Sequence, residues 1–245
     1  MGWRSLILAG LIFFSIAWQR VEAVEISTVE FGGKTFTVCR VDVRKEHLDL
    51  FHRDAQGQPI KTFNRLLALL QPQKRNLVFA MNAGMFHPDF SAVGLFVAGG
   101  QQLVPLNTAN GGGNFFLKPN GVFALTDRGA RVLEASEYPK LRERVQLATQ
   151  SGPLLVHNGR LHSAIRQDSE SRLVRNGVGV PSPDTAIFVM SEVPVNFYEF
   201  ATFFRDQLHC PDVLFLDGTL SSIYAPALKR NDFRMDLGPM IGVTE

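Results

Sequence analysis

The sequence DVLFLDGTLSS, from Asp212 to Ser222, joins an uninterrupted apolar run to a polar ending of small residues. An apolar run without alternation is typical of a strand that is buried on both faces. This run stops at Asp217, which is followed by a glycine and, further on, by hydroxyl side chains. The segment therefore predicts a core strand that places a carboxylate at the end of a sheet.

Two other segments have the same design, NLVFAMNAGMF at 76–86 and DTAIFVMSE at 184–192. If the three strands share a sheet and a direction, Asn82, Glu192 and Asp217 meet at one edge, where open sheets place their ligand clefts. The alternative is three strands followed by ordinary turns, because Asn, Asp, Gly and Ser favour turns in any protein.

The N-terminal residues have the pattern of a secretory signal peptide. Arg4 precedes an apolar run from Ser5 to Trp18, and small residues stand at positions suited to cleavage after Ala23. A membrane anchor is the alternative, but about 14 apolar residues are fewer than the roughly 20 that span a bilayer. We expect an exported protein, periplasmic or extracellular, with a signal peptide at 1–23, one domain at 24–245 and no stable membrane anchor after cleavage.

Charge and cysteine content restrict the function classes. The formal net charge is +2 and the charged residues form no basic blocks, so no electrostatic feature favours nucleic acid. Both cysteines, Cys39 and Cys210, fall in the part expected to be exported, where a disulfide persists. We expect them to be bonded, with two buried free thiols as the alternative. Neither belongs to a CxxC motif, which argues against a thiol redox or zinc site.

The remaining pattern predicts many short strands and few helices. Alternation over 26–50 suggests a hairpin. Apolar residues keep helical spacing over 63–70 and again over 197–208, where Asn196 and Glu199 form a capping-box pair. The glycine-rich centre contains Asn-Gly turns that imply antiparallel pairing. We expect an α+β single domain with a large mixed, partly antiparallel β-sheet and a few packed helices.

Three local features allow two interpretations each. The loop NGGGN at 110–114 lacks the Gly-Lys-Ser/Thr of a P-loop, and is either a flexible hairpin loop or an anion cradle of backbone amides. His87 lies close to the candidate site as a loop residue or a base. Arg172 and Arg175 precede a buried segment, either as surface charge or as an oxyanion clamp.

Four segments occur in the order of a known family: NAGMF at 82–86, SGPL at 151–154, RNGVG at 175–179 and LDGTLS at 216–221. They resemble the Asn-Gly-Gly-Phe-Phe, Gly-Gly-Pro-Leu, Arg-before-Gly and Leu-Asp-Gly-Gly-Gly-Ser segments of the phosphodiester glycosidase family. The resemblance spans 78–223 and is closest to a bacterial exported branch of the family.

The chain departs from the family pattern at four positions. Thr219 and Leu220 stand where the family has two further glycines, Ala83 where it has its first glycine, and Met85 where it has its first phenylalanine. Bulkier side chains in place of glycine would reduce access to the backbone around a substrate.

The resemblance implies hydrolysis of a sugar-1-phosphodiester at the anomeric carbon, through an oxocarbenium-like state. Asp217 is the first candidate for the catalytic carboxylate and Glu192 the second. Arg175 is expected to hold the phosphate. The residues expected to bind substrate are Asn82, Gly84, Ser151, Gly152, Arg175, Asn176, Gly218 and Ser221.

The expected partner is a phosphorylated carbohydrate, and no cofactor is implied. Asp217 and Asn82 are oxygen ligands of the kind that a divalent cation takes, so a metal remains open. Two other functions are kept as alternatives: a non-catalytic envelope protein that binds phosphorylated glycans, and a metal-assisted phosphodiesterase that cuts P–O instead of C–O.

Overall fold

The structure is a computed structural model that describes residues 24–245; the predicted signal peptide lies outside them. The strands are β1 (Val24–Phe31), β2 (Lys34–Asp42), β3 (His47–Phe51), β4 (Leu77–Asn82), β5 (Phe96–Ala98), β6 (Gln101–Val104), β7 (Gly121–Thr126), β8 (Gly129–Glu134), β9 (Val145–Ser151), β10 (Leu154–His157), β11 (Arg160–Leu161), β12 (Asn176–Ser182), β13 (Thr185–Ser191), β14 (Asp212–Asp217), β15 (Ile223–Ala225), β16 (Arg230–Asn231) and β17 (Met240–Thr244). The α-helices are α1 (Phe63–Leu70) and α2 (Phe197–Thr202), and α2 continues as a π-helical turn over Phe203–Gln207.

These strands form three sheets. The first has the order β1-β2-β13-β12-β14-β10-β11, the second β16-β15-β4-β17-β3 and the third β6-β5-β9-β7-β8. Within residues 24–245, neighbouring strands pair antiparallel. The α+β prediction therefore fits only loosely, because one large mixed sheet is replaced by three antiparallel ones with two short α-helices. Most connections are short turns, which suit antiparallel neighbours, whereas a parallel pair needs a longer crossover.

The common edge predicted for three strands is only partly present. Strands β13 and β14 do run in the same direction, since each pairs antiparallel with β12 between them. Strand β4 belongs to the second sheet. Its polar end reaches the first sheet across the core and not along a shared edge.

The first sheet is buried on both faces. On one face, the ring of Phe188 packs against Phe79 of the second sheet and Phe123 of the third, with centroids 5.5 and 5.7 Å apart. On the other face, α2 and its π-helical turn supply aromatic rings, and Phe203 stacks on Phe36 at 4.0 Å. One core therefore joins all three sheets, while α2 covers the outside of the first.

Both predicted helices are present, and the capping box of α2 is confirmed. The Glu199 amide donates to Asn196 Oδ1 at 2.9 Å, and the Asn196 amide donates to Glu199 Oε2 at 3.0 Å. The Asn196 side chain also donates to the carbonyls of Gln167 and Ser169, which fixes the segment that leads into β12. No helix within 24–245 has the length and apolar character needed to cross a bilayer.

The predicted disulfide is absent: Cys39 and Cys210 are both free and buried. Cys39 packs in the core between the sheets. Cys210 packs with Phe204 and Val213 on the face that α2 covers. A disulfide bond would therefore have to pass through the sheet. That the two cysteines lie on opposite faces could not be predicted from their positions in the sequence.

We expect both thiols to be unreactive in the folded protein and fully reactive after unfolding without reductant. Burial raises the pKa of Cys39 well above its ordinary value and that of Cys210 to about 12, so little thiolate forms near neutral pH. Counting alkylated cysteines by mass spectrometry before and after denaturation tests this. Unfolded protein that reacts only after a reductant is added would contradict it.

Candidate active site

The register of the first sheet aligns four side chains in a row. Met190 pairs with Thr37 on one side and with Asn176 on the other, and Asn176 pairs in turn with Asp217. Directly paired residues on antiparallel strands point to the same face. Glu192, two residues beyond Met190, shares that face.

A β-bulge sets the direction of Asp217. Phe215 pairs with Gly177, but the next pair joins Asp217 to Asn176, so Leu216 is an extra residue. Regular alternation would put Asp217 on the α2 face together with Phe215. The bulge instead turns its carboxylate toward the second sheet, a re-aiming that bulges commonly perform beside active sites.

The carboxylate of Asp217 is held entirely by N–H donors. Oδ1 accepts from the amides of Gly218 at 2.6 Å and Thr219 at 3.0 Å, and Oδ2 accepts from Asn82 Nδ2 at 3.1 Å. The side chain is only 8% exposed. Burial raises the pKa of Asp217 above its ordinary value, and these hydrogen bonds oppose the rise without cancelling it.

Asn82 connects the second sheet to this carboxylate. Besides its bond to Asp217, its Oδ1 accepts from Asn176 Nδ2 and from the Ser222 amide, both at 3.0 Å. Asn82 is fully buried, and its hydrogen bonds position Asp217; the contact with substrate expected from the sequence stays a prediction. Asn176 also donates to the Asn82 carbonyl at 2.7 Å, while its own Oδ1 is buried without a hydrogen-bond partner.

The third sheet contributes Ser151 to the hydrogen bonds at the β-bulge. Ser151, the last residue of β9, donates its hydroxyl hydrogen to the Leu216 carbonyl at 2.9 Å and is fully buried. It thus satisfies the Leu216 carbonyl at the bulge, and its expected contact with substrate stays a prediction. Gly152 and Gly84 are packing positions: an added Cβ would lie 2.7 Å from the Phe115 carbonyl and 3.0 Å from Thr149 Oγ1 respectively.

The turn after Asp217 does not require the glycines that the family pattern contains. Thr219 and Leu220 have no positive φ, and the Thr219 amide still reaches Asp217. Ser221 is buried and donates its hydroxyl hydrogen to the Val174 carbonyl at 3.1 Å. Its hydroxyl closes the turn, and its expected contact with substrate stays a prediction.

The phosphate-clamp role of Arg175 stays a prediction: most of its guanidinium is bound within the protein, but Nη1 is buried without a hydrogen-bond partner and would lie 3.4 Å from a Cβ placed on Gly218. Because neighbouring residues of a strand face opposite ways, Asn176 faces Asp217 while Arg175 faces α2. Its guanidinium lies 3.9 Å from the Phe197 ring centroid and donates to the carbonyls of Val195 at 2.8 Å and Ser171 at 2.9 Å. The side chain is fully buried, which lowers the pKa of Arg175 to about 10.

Glu192 is part of an ionic group that we call the Arg230 cluster, formed by Thr37, Glu192, Arg230 and Asp232. Arg230 Nη1 lies 2.5 Å from Glu192 Oε1, and Arg230 Nη2 lies 2.6 Å from Asp232 Oδ2. The Thr37 hydroxyl donates to Glu192 at 2.6 Å. The carboxylate of Glu192, the second catalytic candidate from the sequence, is thus held in an ion pair.

The sequence did not single out Arg230 and Asp232. The amide of Ile223 donates to Asp232 Oδ2 at 3.3 Å, and the preceding residue, Ser222, bonds to Asn82. The Arg230 cluster therefore adjoins the Asp217 network. The only sequence signal was the alternation of opposite charges at 230 and 232.

A family model of phosphodiester glycosidases matches residues 75–243, a range that contains Asn82, Asp217 and the Arg230–Asp232 pair. The chain belongs to the phosphodiester glycosidase family. The uncharacterized protein YigE of Escherichia coli is 33% identical over 215 residues, which cover 87% of this chain and 84% of that protein.

Three solved structures share the fold of this phosphodiester glycosidase. The catalytic domain of zebrafish N-acetylglucosamine-1-phosphodiester alpha-N-acetylglucosaminidase, auto-inhibited by its pro-peptide, has a TM-score of 0.61 at 15% identity, over 91% of this chain and 82% of that one. A hypothetical protein from Synechocystis has a TM-score of 0.54 at 15% identity, over 90% and 61%. A putative exported protein from Burkholderia pseudomallei has 0.53 at 10% identity, over 86% and 74%.

Other features of the glycosidase do not belong to this site. A cavity of about 550 Å³ lies at the opposite end of the sheets, where His47 pairs with Thr244, and Asp217 does not line it. His87 is an exposed turn residue whose amide donates to the Ser91 carbonyl. Among residues 24–245, no group of three or more His, Cys, Asp and Glu side chains is arranged to hold a metal.

We predict that Arg175→Met lowers the free energy of unfolding by roughly 2–4 kcal/mol, because it removes buried, charge-assisted hydrogen bonds. Arg205→Met is the matched control, since Arg205 pairs only with its neighbour Asp206 near the surface. Urea unfolding of both variants measures the difference. Equal stability of the two variants would show that the Arg175 contacts contribute little.

Proposed function

We propose that this phosphodiester glycosidase is an exported hydrolase that cleaves the C1–O bond of a sugar-1-phosphodiester. The observation that carries the proposal is Asp217, a single carboxylate fixed by amide donors where the three sheets meet, within the segment that resembles the family motif. The name of the zebrafish relative describes cleavage of N-acetylglucosamine from a phosphodiester. Export is supported by the signal-like sequence before Val24.

The arrangement suits a base or a nucleophile. Cleavage at the anomeric carbon needs a carboxylate, either to activate water or to attack C1. The raised pKa of Asp217 makes its ionised form a stronger proton acceptor than an ordinary aspartate. The donors from Gly218, Thr219 and Asn82 hold the carboxylate in one orientation, which reduces the reorganisation that the reaction requires.

The leaving group makes a second catalytic carboxylate less necessary. A phosphate ester departs as an anion, so its protonation matters less than that of a sugar alcohol. Water supplies hydroxide to C1 and its proton to the released phosphomonoester. This agrees with a site in which Glu192 is ion-paired and Asp217 acts as the reactive carboxylate.

Asp217→Asn is expected to lower kcat by roughly 100-fold or more, the scale for loss of a general base. Asp206→Asn serves as the control, because that side chain is 46% exposed and pairs only with Arg205. The assay is release of sugar from a panel of sugar-1-phosphodiesters, followed by mass spectrometry. Near-normal activity of Asp217→Asn would remove this residue from the mechanism.

The same assay in oxygen-18 water identifies the broken bond. C1–O cleavage places the label on the sugar and leaves the phosphomonoester unlabelled. Label on the phosphate would indicate the phosphodiesterase alternative. Tight binding of the diester without turnover would indicate the non-catalytic glycan-binding alternative.

We predict that the acid limb of the kcat/KM profile has its midpoint above the ordinary aspartate pKa of about 3.9, since burial raises the pKa of Asp217. Activity rises with pH because the ionised carboxylate is the active form. Asn82→Ala removes a donor to that ionised form and should move the limb to higher pH. Asn176→Ala, which only loosens Asn82, should shift it less. If neither variant moves the acid limb, the limb reports the titration of a group other than Asp217.

A further inference from the structure

Most of the exposed large apolar side chains lie on segments next to the Asp217 turn or the Arg230 cluster. Among residues 24–245, five large hydrophobic side chains are more than a third exposed: Leu103 (60%), Leu173 (38%), Val193 (39%), Phe233 (69%) and Met235 (58%). Leu103 lies on β6, in the third sheet. The other four, which we call the apolar rim, lie on segments that adjoin the Asp217 turn or the Arg230 cluster. Exposed apolar residues concentrated beside a site mark binding surfaces, whereas isolated ones carry no meaning.

One half of the rim borders the turn after Asp217. A Cβ placed on Gly218 would lie 3.3 Å from the Leu173 side chain, so Leu173 packs beside this turn. Leu173 pairs with Val195 in an isolated bridge. Val193, between Val195 and the Arg230 cluster, therefore extends the same edge.

The other half of the rim, Phe233 and Met235, comes just after Asp232 of the Arg230 cluster in the sequence. Phe233 and Met235 lie between two ion-paired acidic residues: Asp232 binds Arg230, which also binds Glu192, and Asp236 binds Lys61 at 3.1 Å. The residue between the two apolar side chains is the exposed Arg234. The loop thus presents apolar side chains beside the exposed charge of Arg234, while its two acidic residues are held in ion pairs within the protein.

The Arg230 cluster joins the two halves. Arg230 binds Glu192 and Asp232 at once, and these residues directly precede Val193 and Phe233. The rim therefore begins where the polar residues around Asp217 end. A ligand that reaches both regions has a polar part at Asp217 and an apolar, anionic part at the rim.

We propose that the apolar rim binds the alcohol half of the phosphodiester, and that the preferred substrate is a sugar-1-phosphodiester of a lipid alcohol. This inference rests on the proposed function of the same site. The sugar lies at Asp217, the phosphate is near Arg234, and the hydrocarbon chain covers Phe233 and Met235. Water attacks C1, the C1–O bond breaks with its electron pair on the phosphate oxygen, and the products are free sugar and a lipid phosphomonoester.

The test compares two soluble esters of one sugar-1-phosphate, a decyl ester below its micelle concentration and a methyl ester. Burial of several methylene groups should give the decyl ester a kcat/KM at least about tenfold higher. The double variant Phe233→Ser/Met235→Ser should reduce this ratio to about threefold or less, because the covered apolar area is lost. Leu103→Ser, the matched exposed residue on the third sheet, should leave both rates unchanged.

A binding measurement keeps this inference separate from the proposed catalysis. Decyl phosphate and methyl phosphate are titrated into the wild type and the double variant by calorimetry. Tighter binding of decyl phosphate that the double variant loses supports the rim even if neither ester is hydrolysed, a result that would overturn only the proposed function. Hydrolysis of both esters at equal rates, with equal binding of the two phosphates, would overturn the proposed role of the rim and leave the proposed function intact.

A membrane surface is the other possible partner of the apolar rim. Loss of binding to phosphatidylglycerol vesicles in the double variant, without any chain-length preference for soluble esters, would also overturn the proposal, because the rim would then contact a membrane surface.

Discussion

The hydrogen bond from Asn82 to Asp217 is the interaction on which the site depends. It joins the end of β4 to the end of β14, and so connects the second sheet to the first. A buried carboxylate is costly unless donors surround it, and here its neighbours are all N–H groups. Asn82 is in turn fixed by Asn176 and by the Ser222 amide. The position of the sheets and the orientation of the carboxylate are therefore determined by the same few bonds.

The need to pair buried polar groups explains why several residues of the family-like segments are buried and bonded within the protein. The hydroxyls of Ser151 and Ser221 donate to backbone carbonyls at the bulge and the turn, and Arg175 ties the segments before β12 and α2 to the sheet. Each such residue maintains the shape around Asp217. Most residues of the family-like segments thus build the site, while Asp217 is the one among them that we propose to act on the substrate.

The local sequence pattern predicted the strands and helices well, but it predicted poorly how they lie relative to one another. The apolar run before Asp217 and the capping box of Asn196 are short-range features, and both appear as predicted. The placement of β4 in another sheet and the bulge at Leu216 depend on pairing between distant segments, which no local pattern specifies. Two features that the sequence analysis did not predict concern the face of the sheet on which a residue lies, and the reasons differ. Strand alternation could have shown that Arg175 and Asn176 point in opposite directions, whereas the separation of Cys39 from Cys210 required knowledge of what covers each face.

The departures from the family pattern at Thr219 and Leu220 fall in the turn that holds Asp217. The turn uses backbone amides to hold Asp217 and needs no positive φ at either residue, so side chains there leave the carboxylate geometry unchanged. What they change is the surface around it, since Thr219 is exposed and Leu220 packs only partly against the α1 side of the core. Because the hydrogen bonds to Asp217 come from backbone amides and from Asn82, the proposed preference for a lipid alcohol depends on the surrounding loops, where Phe233 and Met235 are exposed.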